Sequence, residues 1–339
     1  MDSWYCAPGA RERTVDSSVG DALAFHRTLP GYAPTPLVPV PALAAELGVG
    51  DVLVKDESTR LGLSAFKVLG ASWAVERLLA ARPKVHTLVA ASAGNHGRAV
   101  ARVAAMRGLR CRVYLPARSL EARRAAIRGE GAEVVVVDGS YEDAVAAAAA
   151  DGAADGVAEI ADVGSADTAR WVIDGYATLF DETRVQGAFD VLLVPIGVGS
   201  LGAAGARFAA STRAAMIGVE PSTAACLTAS LAAGAPTSVQ TPGTTMAGLD
   251  CSEVSAAAWP VLRDGVHGAV TVTDAEVAAA VAELADAGLA IGESGAAPLA
   301  GLRTLMTDNE CADLRAFVGL GADSRVLLVA TEGPTGVSA

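Results

Sequence analysis

A lysine in an apolar stretch is the first residue of the sequence that could do covalent chemistry. Lys67 closes the run Ser64-Ala65-Phe66-Lys67, which comes soon after a short β-rich segment. An amine that is buried near other cations loses its proton readily, and the neutral amine can form a Schiff base with a carbonyl compound. An exposed lysine at the start of a helix is the commoner explanation of such a run, so it does not decide the function alone.

The segment Ser92-Ala93-Gly94-Asn95-His96-Gly97 has the features of a ligand-binding turn. It follows a predicted strand and opens a predicted helix, the place where ligands bind in open α/β sheets. Its backbone N–H groups suit an anion such as a substrate carboxylate, and the Asn95 side chain can hydrogen-bond a ring hydroxyl. We predict substrate contacts from Ser92, Ala93, Gly94 and His96, although His96 fits a structural role better than that of a base. An ordinary turn with an asparagine cap is the alternative.

A glycine-rich segment, Pro195-Ile196-Gly197-Val198-Gly199-Ser200-Leu201-Gly202, follows the predicted strand Val191–Pro195. Glycines let a phosphate approach the backbone closely, and the dipole of the following helix stabilises its charge. The spacing is also GxGxxG, and the next predicted strand ends at Glu220, near the position of the ribose-binding acid of dinucleotide folds. A nicotinamide oxidoreductase is therefore one interpretation. The mid-chain position, behind two earlier motifs, favours a phosphate cup for a smaller cofactor.

Two segments near the C-terminus could complete a site. Gly292-Glu293-Ser294-Gly295-Ala296 is predicted to open a helix, and the predicted strand Arg325–Ala330 ends in Thr331-Glu332-Gly333. The hydroxyl of Thr331 could hydrogen-bond a pyridine nitrogen without protonating it. A helix cap and a terminal turn are the alternative interpretations.

An α/β framework must position these segments. Most predicted strands are continuous apolar runs, which is typical of a parallel sheet covered by helices on both faces. Ser140 with Asp143, and Thr273 with Glu276, form capping boxes that open two helices. The predicted strands are Val52–Lys55, Thr87–Ala91, Arg112–Leu115, Glu133–Val137, Val191–Pro195, Ala215–Glu220, Ala269–Val272 and Arg325–Ala330.

No linker interrupts the β/α alternation, so the domain limits are inferred from the motif positions. Residues 70–165 hold several compact β/α units, and we predict that they form a small inserted α/β domain. Residues 1–69 and 166–339 then form the large cofactor-binding domain. The predicted fold class is α/β, with two domains that each contain a mostly parallel twisted sheet covered by helices.

Length, charge and cysteine content exclude several classes of protein. The chain has 339 residues and a net charge of -12, so we predict no nucleic-acid or membrane partner, because both bind positive surfaces. Its five cysteines lack the spacing of a disulfide framework or a zinc site, and no metal is predicted. We recognise no signal peptide or membrane-spanning run, so we expect a cytoplasmic protein.

Taken together, the order and spacing of these motifs resemble the fold type II enzymes that depend on pyridoxal 5'-phosphate (PLP), which share the tryptophan synthase β-like fold. Within that group the chain resembles the diaminopropionate ammonia-lyases over nearly its whole length. The resemblance is specific at Phe25–Ser72 and Trp171–Thr178 and generic at the glycine-rich segment. The segments that carry it are Phe25-His26, Pro30-Gly31-Tyr32-Ala33-Pro34-Thr35-Pro36-Leu37, Lys55-Asp56-Glu57-Ser58, Phe66-Lys67-Val68-Leu69-Gly70-Ala71-Ser72, Gly94-Asn95-His96-Gly97-Arg98, Trp171-Val172-Ile173-Asp174-Gly175-Tyr176-Ala177-Thr178, Met246-Ala247-Gly248-Leu249 and Gly292-Glu293-Ser294-Gly295.

The resemblance implies a cofactor, a substrate class and an assembly. It implies that PLP is held as a Schiff base by Lys67, with Asn95 beside its 3'-oxygen and Thr331 near its pyridine nitrogen. It also implies a small amino-acid substrate and a homodimer. The residues implied around the phosphate, called the glycine loop below, are Gly197, Val198, Gly199, Ser200 and Leu201.

The sequence departs from the family at its acidic residues. The family usually has aspartate immediately before Gly-Asn-His-Gly, where this chain has Ala93, and that acid is associated with handling the D-isomer. A second family acid lies before the Trp171 segment, which is shortened here. We predict Asp162 as this catalytic acid, with Glu159 as the alternative.

The predicted reaction is α,β-elimination of ammonia from 2,3-diaminopropionate, or from a related β-substituted L-amino acid, giving a 2-oxo acid such as pyruvate and ammonia. The amine of Lys67 would act as the general base. Three competing functions would use the same cofactor: a β-replacement synthase, a serine or threonine dehydratase, and a catalytically inactive PLP-binding protein. The nicotinamide oxidoreductase would use a different one.

Overall fold

A computed structural model describes residues 4–7, 9–10, 13–16, 20–161 and 167–334. Strands and helices alternate along most of this length, as the apolar pattern predicts. The strands are β1 Trp4–Cys6, β2 Leu37–Pro39, β3 Asp51–Asp56, β4 Thr87–Ala90, β5 Arg110–Pro116, β6 Glu133–Val137, β7 Val157–Glu159, β8 Val191–Pro195, β9 Ala215–Pro221, β10 Gly268–Val272 and β11 Arg325–Ala330. The helices are α1 Ala22–His26, α2 Pro41–Leu47, α3 Lys67–Ala81, α4 Asn95–Met106, α5 Glu121–Gly129, α6 Tyr141–Gly152, α7 Asp167–Gln186, α8 Ser200–Thr212, α9 Cys226–Ala233, α10 Trp259–Gly265, α11 Asp274–Asp286, α12 Glu293–Thr307 and α13 Ala312–Val318.

The strands form two sheets. One has seven strands in the order β1-β10-β9-β8-β11-β3-β2, and the other has four in the order β6-β5-β4-β7. All neighbours are parallel except the two edge strands, β1 and β2, which run antiparallel to β10 and β3. The predicted α/β class with two mostly parallel sheets is therefore confirmed.

The predicted strands are all present, and three short ones were not predicted. Every residue of β4, β8 and β9 is buried, because helices cover both faces of a parallel sheet. The strands without a prediction are β1, β2 and β7, each of three residues. Runs this short carry too little periodicity to be recognised, and β2 also contains Pro39, which cannot donate to a sheet ladder.

The division into domains remains a proposal that the sheets support. All four strands of the smaller sheet fall within the 70–165 segment. Helix α3 packs against both α4 and α7, so it joins the two sheets. Both predicted capping boxes are present, with Ser140 accepting from the backbone N–H of Asp143 at 3.2 Å and Thr273 accepting from that of Glu276 at 3.3 Å.

A buried network of charged side chains ties the segment after β3 to α7. Glu182 accepts hydrogen bonds from Lys55 Nζ at 2.8 Å and from Arg60 Nη1 and Nη2 at 2.7 and 2.8 Å. Arg60 also donates to Glu57 at 2.8 Å, and all four side chains are buried. Burial alone would raise the pKa of the Glu182 carboxyl, but Arg60 and Lys55 lower it below its ordinary value. The network fixes the chain just before Lys67.

The larger sheet brings the predicted motifs to one edge. Strands β9, β8, β11 and β3 are consecutive neighbours, and all run parallel. The glycine loop follows β8, Thr331 follows β11, and the segment that leads to Lys67 follows β3. Because parallel strands end at the same edge of a sheet, these three segments lie side by side at the position where open α/β folds bind ligands.

Candidate active site

The chain before Lys67 is fixed by backbone pairing with the end of β11. The N–H of Phe66 donates to the carbonyl of Thr331 at 3.3 Å, and the N–H of Gly333 donates to the carbonyl of Ser64 at 3.0 Å. We call Ser64–Phe66 the lysine loop. Helix α3 starts at Lys67, directly after this loop. The structure therefore brings Lys67 and Thr331 together, although they lie far apart in the sequence.

The amine of Lys67 lies over aromatic rings. Its Nζ is 5.4 Å from the centroid of Phe66 and 5.9 Å from the centroid of Tyr176, and the side chain is half-buried. Ring faces attract a cation. These aromatic groups shield one side of the amine and limit the directions in which it can react.

Lys67 is one of only three lysines in the sequence. Lys55 is fully buried and donates to Glu182, so its amine is committed to the charged network. Lys84 is exposed in the turn before β4. Among the lysines, Lys67 alone adjoins the edge where the sheet gathers the ligand-binding segments.

The glycine loop has the backbone geometry of a phosphate cup. Gly199 is the N-cap of α8 and has φ of 91°, a left-handed conformation that favours glycine. A Cβ on Gly197 would lie only 2.8 Å from the carbonyl oxygen of Gly248. Helix α8 begins directly after Gly199 without a side-chain cap, so its N-terminal amides suit a phosphate dianion.

The remaining residues of the glycine loop support it. The carbonyl of Val198 accepts a hydrogen bond from the N–H of Ser255 at 2.8 Å. Ser200 and Leu201 form the first turn of α8, and both are buried. Buried contacts therefore support the loop on its protein side, while Gly197 and Val198 are partly exposed.

Asn95 contacts the carboxyl group of Glu332, a residue that was not predicted to belong to the site. Its Nδ2 donates to Glu332 Oε2 at 2.5 Å. Ser294 Oγ, at the start of α12, and Glu332 Oε2 lie on the same side of Gly248, where a Cβ would be 3.0 and 4.0 Å from them. Burial raises the pKa of the Glu332 carboxyl, although Ser294 and Asn95 act in the opposite direction. The available signal was an acid directly after Thr331, at the end of a buried strand.

The turn before α4 is built as predicted for its backbone. Gly94 is the N-cap of α4, its N–H donates to Ser92 Oγ at 3.2 Å, and Ala93 is half-exposed beside it. His96 is buried, and its Nε2 lies 2.7 Å from the carbonyl oxygen of Ile160. That contact holds α4 to the chain after β7, which supports the structural interpretation of His96. The substrate contacts of this turn remain a prediction.

The predicted second acid is not placed by the structure. Asp162 lies outside the described residues. Glu159, the other candidate, is at the end of β7 and packs against the last turn of α6, where a Cβ on Gly152 would lie 2.9 Å from Glu159 Cβ. Burial raises the pKa of the Glu159 carboxyl. The catalytic role of either acid stays a prediction.

The acid that suggested a dinucleotide site has a different use. Glu220 is fully buried, and its Oε1 accepts from the N–H of Leu227 at 2.6 Å. Its Oε2 accepts from the N–H and the hydroxyl of Thr228 at 2.9 and 2.8 Å. Glu220 therefore caps the N-terminus of α9 and has no oxygen turned toward a ribose. The spacing between the glycine loop and Glu220 therefore does not indicate a nicotinamide site.

Comparison with known proteins decides the family. Residues 28–332 match the family described as pyridoxal-phosphate dependent enzyme. The chain belongs to this family. It is 34% identical to a diaminopropionate ammonia-lyase of Salmonella typhimurium, over 96% of this chain and 92% of that protein. It is 30% identical to an L-threonine dehydratase of Escherichia coli, over 79% of this chain and 52% of that protein.

A solved structure gives the same result for the fold of this PLP-dependent enzyme. The diaminopropionate ammonia-lyase of Escherichia coli, in complex with an aminoacrylate-PLP azomethine reaction intermediate, superposes with a TM-score of 0.85 at 29% identity, covering 95% of this chain and 92% of that one. The fold type II assignment is confirmed, PLP is the cofactor, and the nicotinamide interpretation is wrong.

The described residues fit PLP. The glycine loop and α8 suit its phosphate, Lys67 can hold it covalently, and Thr331 and Asn95 offer polar groups for its ring. Within the described part of the chain, no group of three or more His, Cys, Asp or Glu side chains is placed to hold a metal ion. No described helix has both the length and the apolar character needed to cross a membrane.

We expect Gly197→Ala to weaken PLP binding by about tenfold to a hundredfold, because the added Cβ collides with the carbonyl of Gly248 and displaces amides that face the phosphate. The measurement is the PLP dissociation constant by equilibrium dialysis. Gly129→Ala is the control, since Gly129 ends α5 and a Cβ there meets nothing within 4 Å. Equal dissociation constants for both variants would show that the phosphate does not bind at this loop.

Glu220 should make stability depend on pH. Burial raises its pKa to about 7 from an ordinary value of 4.5, so the folded state binds the proton more tightly than the unfolded state. This contribution is complete below the unfolded pKa and is lost as pH rises through the folded pKa. Between about pH 5.5 and 7.5, the free energy of unfolding should fall by about 2 kcal/mol more in the wild type than in Glu220→Gln. Chemical denaturation at each pH measures this, and parallel curves would contradict it.

Proposed function

We propose that this enzyme catalyses α,β-elimination of ammonia from L-2,3-diaminopropionate, or elimination of the β-substituent of a closely related L-amino acid. Water then hydrolyses the released aminoacrylate to a 2-oxo acid such as pyruvate, and the α-amino group leaves as ammonia. The observation that carries the proposal is that the lysine loop and the glycine loop follow strands at one edge of the larger sheet, where Asn95 contacts Glu332. The chain also aligns over 96% of its length with a diaminopropionate ammonia-lyase. Both the lysine and the anion-binding backbone that elimination requires are present at that edge.

Each part of the site has a defined task in this proposal. PLP, when bound, supplies an electron sink that makes the substrate α-proton acidic. The amine of Lys67 takes that proton. The backbone amides of Ser92–Asn95 hold the substrate carboxylate and so fix which bond at the α-carbon is broken. Asp162 or Glu159 would supply a proton to the leaving amine.

Ala93 supports a preference for the L-isomer. A carboxylate at this position would lie directly before the Gly94 cap of α4 and could exchange protons with the substrate on the side away from Lys67. Alanine has no exchangeable proton. We therefore propose that the α-proton is removed only from the face that Lys67 reaches.

A substrate panel tests the proposal. The purified PLP-loaded protein is assayed for 2-oxo acid and ammonia with L- and D-diaminopropionate, L-serine and L-threonine. We expect the highest kcat/KM with L-diaminopropionate and little turnover of the D-isomer. Higher kcat/KM with L-threonine would support a dehydratase, which the 30% identical threonine dehydratase makes the second candidate.

Two further assays test for a β-replacement synthase and for an inactive PLP-binding protein. A β-replacement synthase would form less 2-oxo acid when thiols or amines are added, because the added nucleophile captures the intermediate. An inactive PLP-binding protein would bind the cofactor, yet show no spectral change with any amino acid. Either result would overturn the elimination proposal.

We also propose that the enzyme is a cytoplasmic homodimer. In the described part of the chain none of the five cysteines forms a disulfide bond, which suits a reducing compartment. The dimer rests on the resemblance to the lyase family. Sedimentation of the purified protein tests it.

A further inference from the structure

Glu332 is a buried carboxyl at the centre of the cofactor site. It is only 6% exposed, and it directly follows Thr331, the residue assigned to the pyridine nitrogen. The backbone at Glu332 pairs with Ala65 of the lysine loop as an isolated antiparallel bridge. An acid buried at such a place costs free energy unless its charge is compensated, so its partners indicate what it does.

The groups around Glu332 come from the turn before α4 and from the start of α12. Asn95 Nδ2 donates to its Oε2 at 2.5 Å, and a Cβ on Gly248 would lie 4.0 Å from the same Oε2 and 3.0 Å from Ser294 Oγ. Ser294 Oγ in turn accepts from the N–H of Gly248 at 3.1 Å. Gly248 is the residue whose carbonyl lies against Gly197. Glu332 therefore lies between Asn95, to which it is hydrogen-bonded, and the Ser294–Gly248 pair at the wall of the glycine loop.

We propose that Glu332 is a positioning residue that orients the Asn95 amide toward the cofactor ring, a role that rests on the cofactor site proposed above. Glu332 Oε2 accepts a hydrogen bond from the NH2 end of the Asn95 amide. That end of the amide, and not its carbonyl, therefore faces the carboxyl group. One N–H of Asn95 is donated to Glu332, and the second N–H is left to donate to the ring oxygen of PLP.

The orientation matters because the two ends of an amide have opposite character. The ring oxygen of PLP carries negative charge, so it needs a donor. An amide free to rotate would present its carbonyl part of the time and repel that oxygen. The hydrogen bond to Glu332 removes this choice.

A simpler role for Glu332 would be to cap α12. Its side chain packs against Gly292, the N-cap of that helix, and a helix N-terminus favours negative charge. A cap contributes to stability alone. It predicts no effect of Glu332 on how tightly the cofactor binds or on the absorption of the bound cofactor, and this difference separates the two roles.

The test compares Glu332→Gln with the parent enzyme and with Glu276→Gln. Glu276 is the matched control, because it caps α11 at an exposed capping box. For each protein, the PLP dissociation constant, the pH profile of the visible absorption of bound PLP, and the thermal midpoint are measured. We expect Glu332→Gln to raise the dissociation constant about tenfold and to shift the absorption profile, whereas Glu276→Gln changes neither.

A double-mutant cycle shows whether Glu332 acts through Asn95. If it does, Glu332→Gln has no further effect on PLP binding in an Asn95→Ala background, because the amide to be oriented is gone. Additive effects, or a Glu332→Gln dissociation constant within about twofold of the parent, would overturn the proposal. Should Glu332→Gln fail to fold, Glu332→Asp keeps the carboxyl group but withdraws it from Asn95, and weaker PLP binding by a few-fold is expected. Failure of the parent to bind PLP would instead refute the proposed function.

Discussion

Lys67→Ala is expected to lower turnover by more than about a thousandfold, because it removes both the amine that holds the cofactor and the general base. The same variant should lack the visible absorption that a lysine-bound cofactor shows. The fold should survive, since the side chain is half-buried at the first turn of α3 and a helix start accepts alanine well.

The control for this variant is Lys84→Ala. Lys84 is exposed before β4, so its loss should leave turnover and absorption unchanged. Circular dichroism establishes that both variants are folded. A Lys67→Ala protein that keeps its visible absorption and more than about a tenth of parent activity would show that another group holds the cofactor.

Glu182→Ala is expected to lower the free energy of unfolding by about 3–5 kcal/mol, because it leaves the cations of Lys55 and Arg60 buried with too few partners. Glu182 accepts from both cations and also from the hydroxyl of Tyr32 at 2.7 Å. Glu57 alone cannot satisfy both cations. Urea denaturation monitored by fluorescence measures the change.

Asp190→Ala gives the comparison for an exposed ion pair. Asp190 binds Arg325 at 2.8 Å, but their side chains are 45% and 43% exposed, so water replaces the lost partner. The expected cost is below about 1 kcal/mol. If both variants lose the same stability, the buried network does not fix the chain before the lysine loop as the contacts indicate.

Local patterns predicted most of the framework. The apolar runs at β8 and β11 match their strands residue for residue, because burial on both faces leaves no polar position to blur the pattern. The two capping boxes could be predicted because the two residues of each box lie within one helical turn of each other. The edge strand β1 pairs with β10, far along the chain, whereas β2 pairs with the nearby β3. Each has only three residues, which is too few for a pattern that predicts the strand.

The site was partly predictable for the same reason. Lys67, Asn95 and the glycine loop each belong to a contiguous motif. Glu332 gains its role from Asn95, which lies 237 positions away, so only the fold reveals the pair. Glu220 shows the converse, because its spacing suited a ribose while its carboxylate is taken up by the amides of α9.

The most direct test is to find which lysine carries PLP. Borohydride reduction fixes the cofactor to its amine, and peptide mass spectrometry then locates the label. With three lysines in the sequence, the result is unambiguous: the label is expected on Lys67 alone. A label on Lys55 or Lys84, or an unlabelled protein after saturation with PLP, would contradict the central claim.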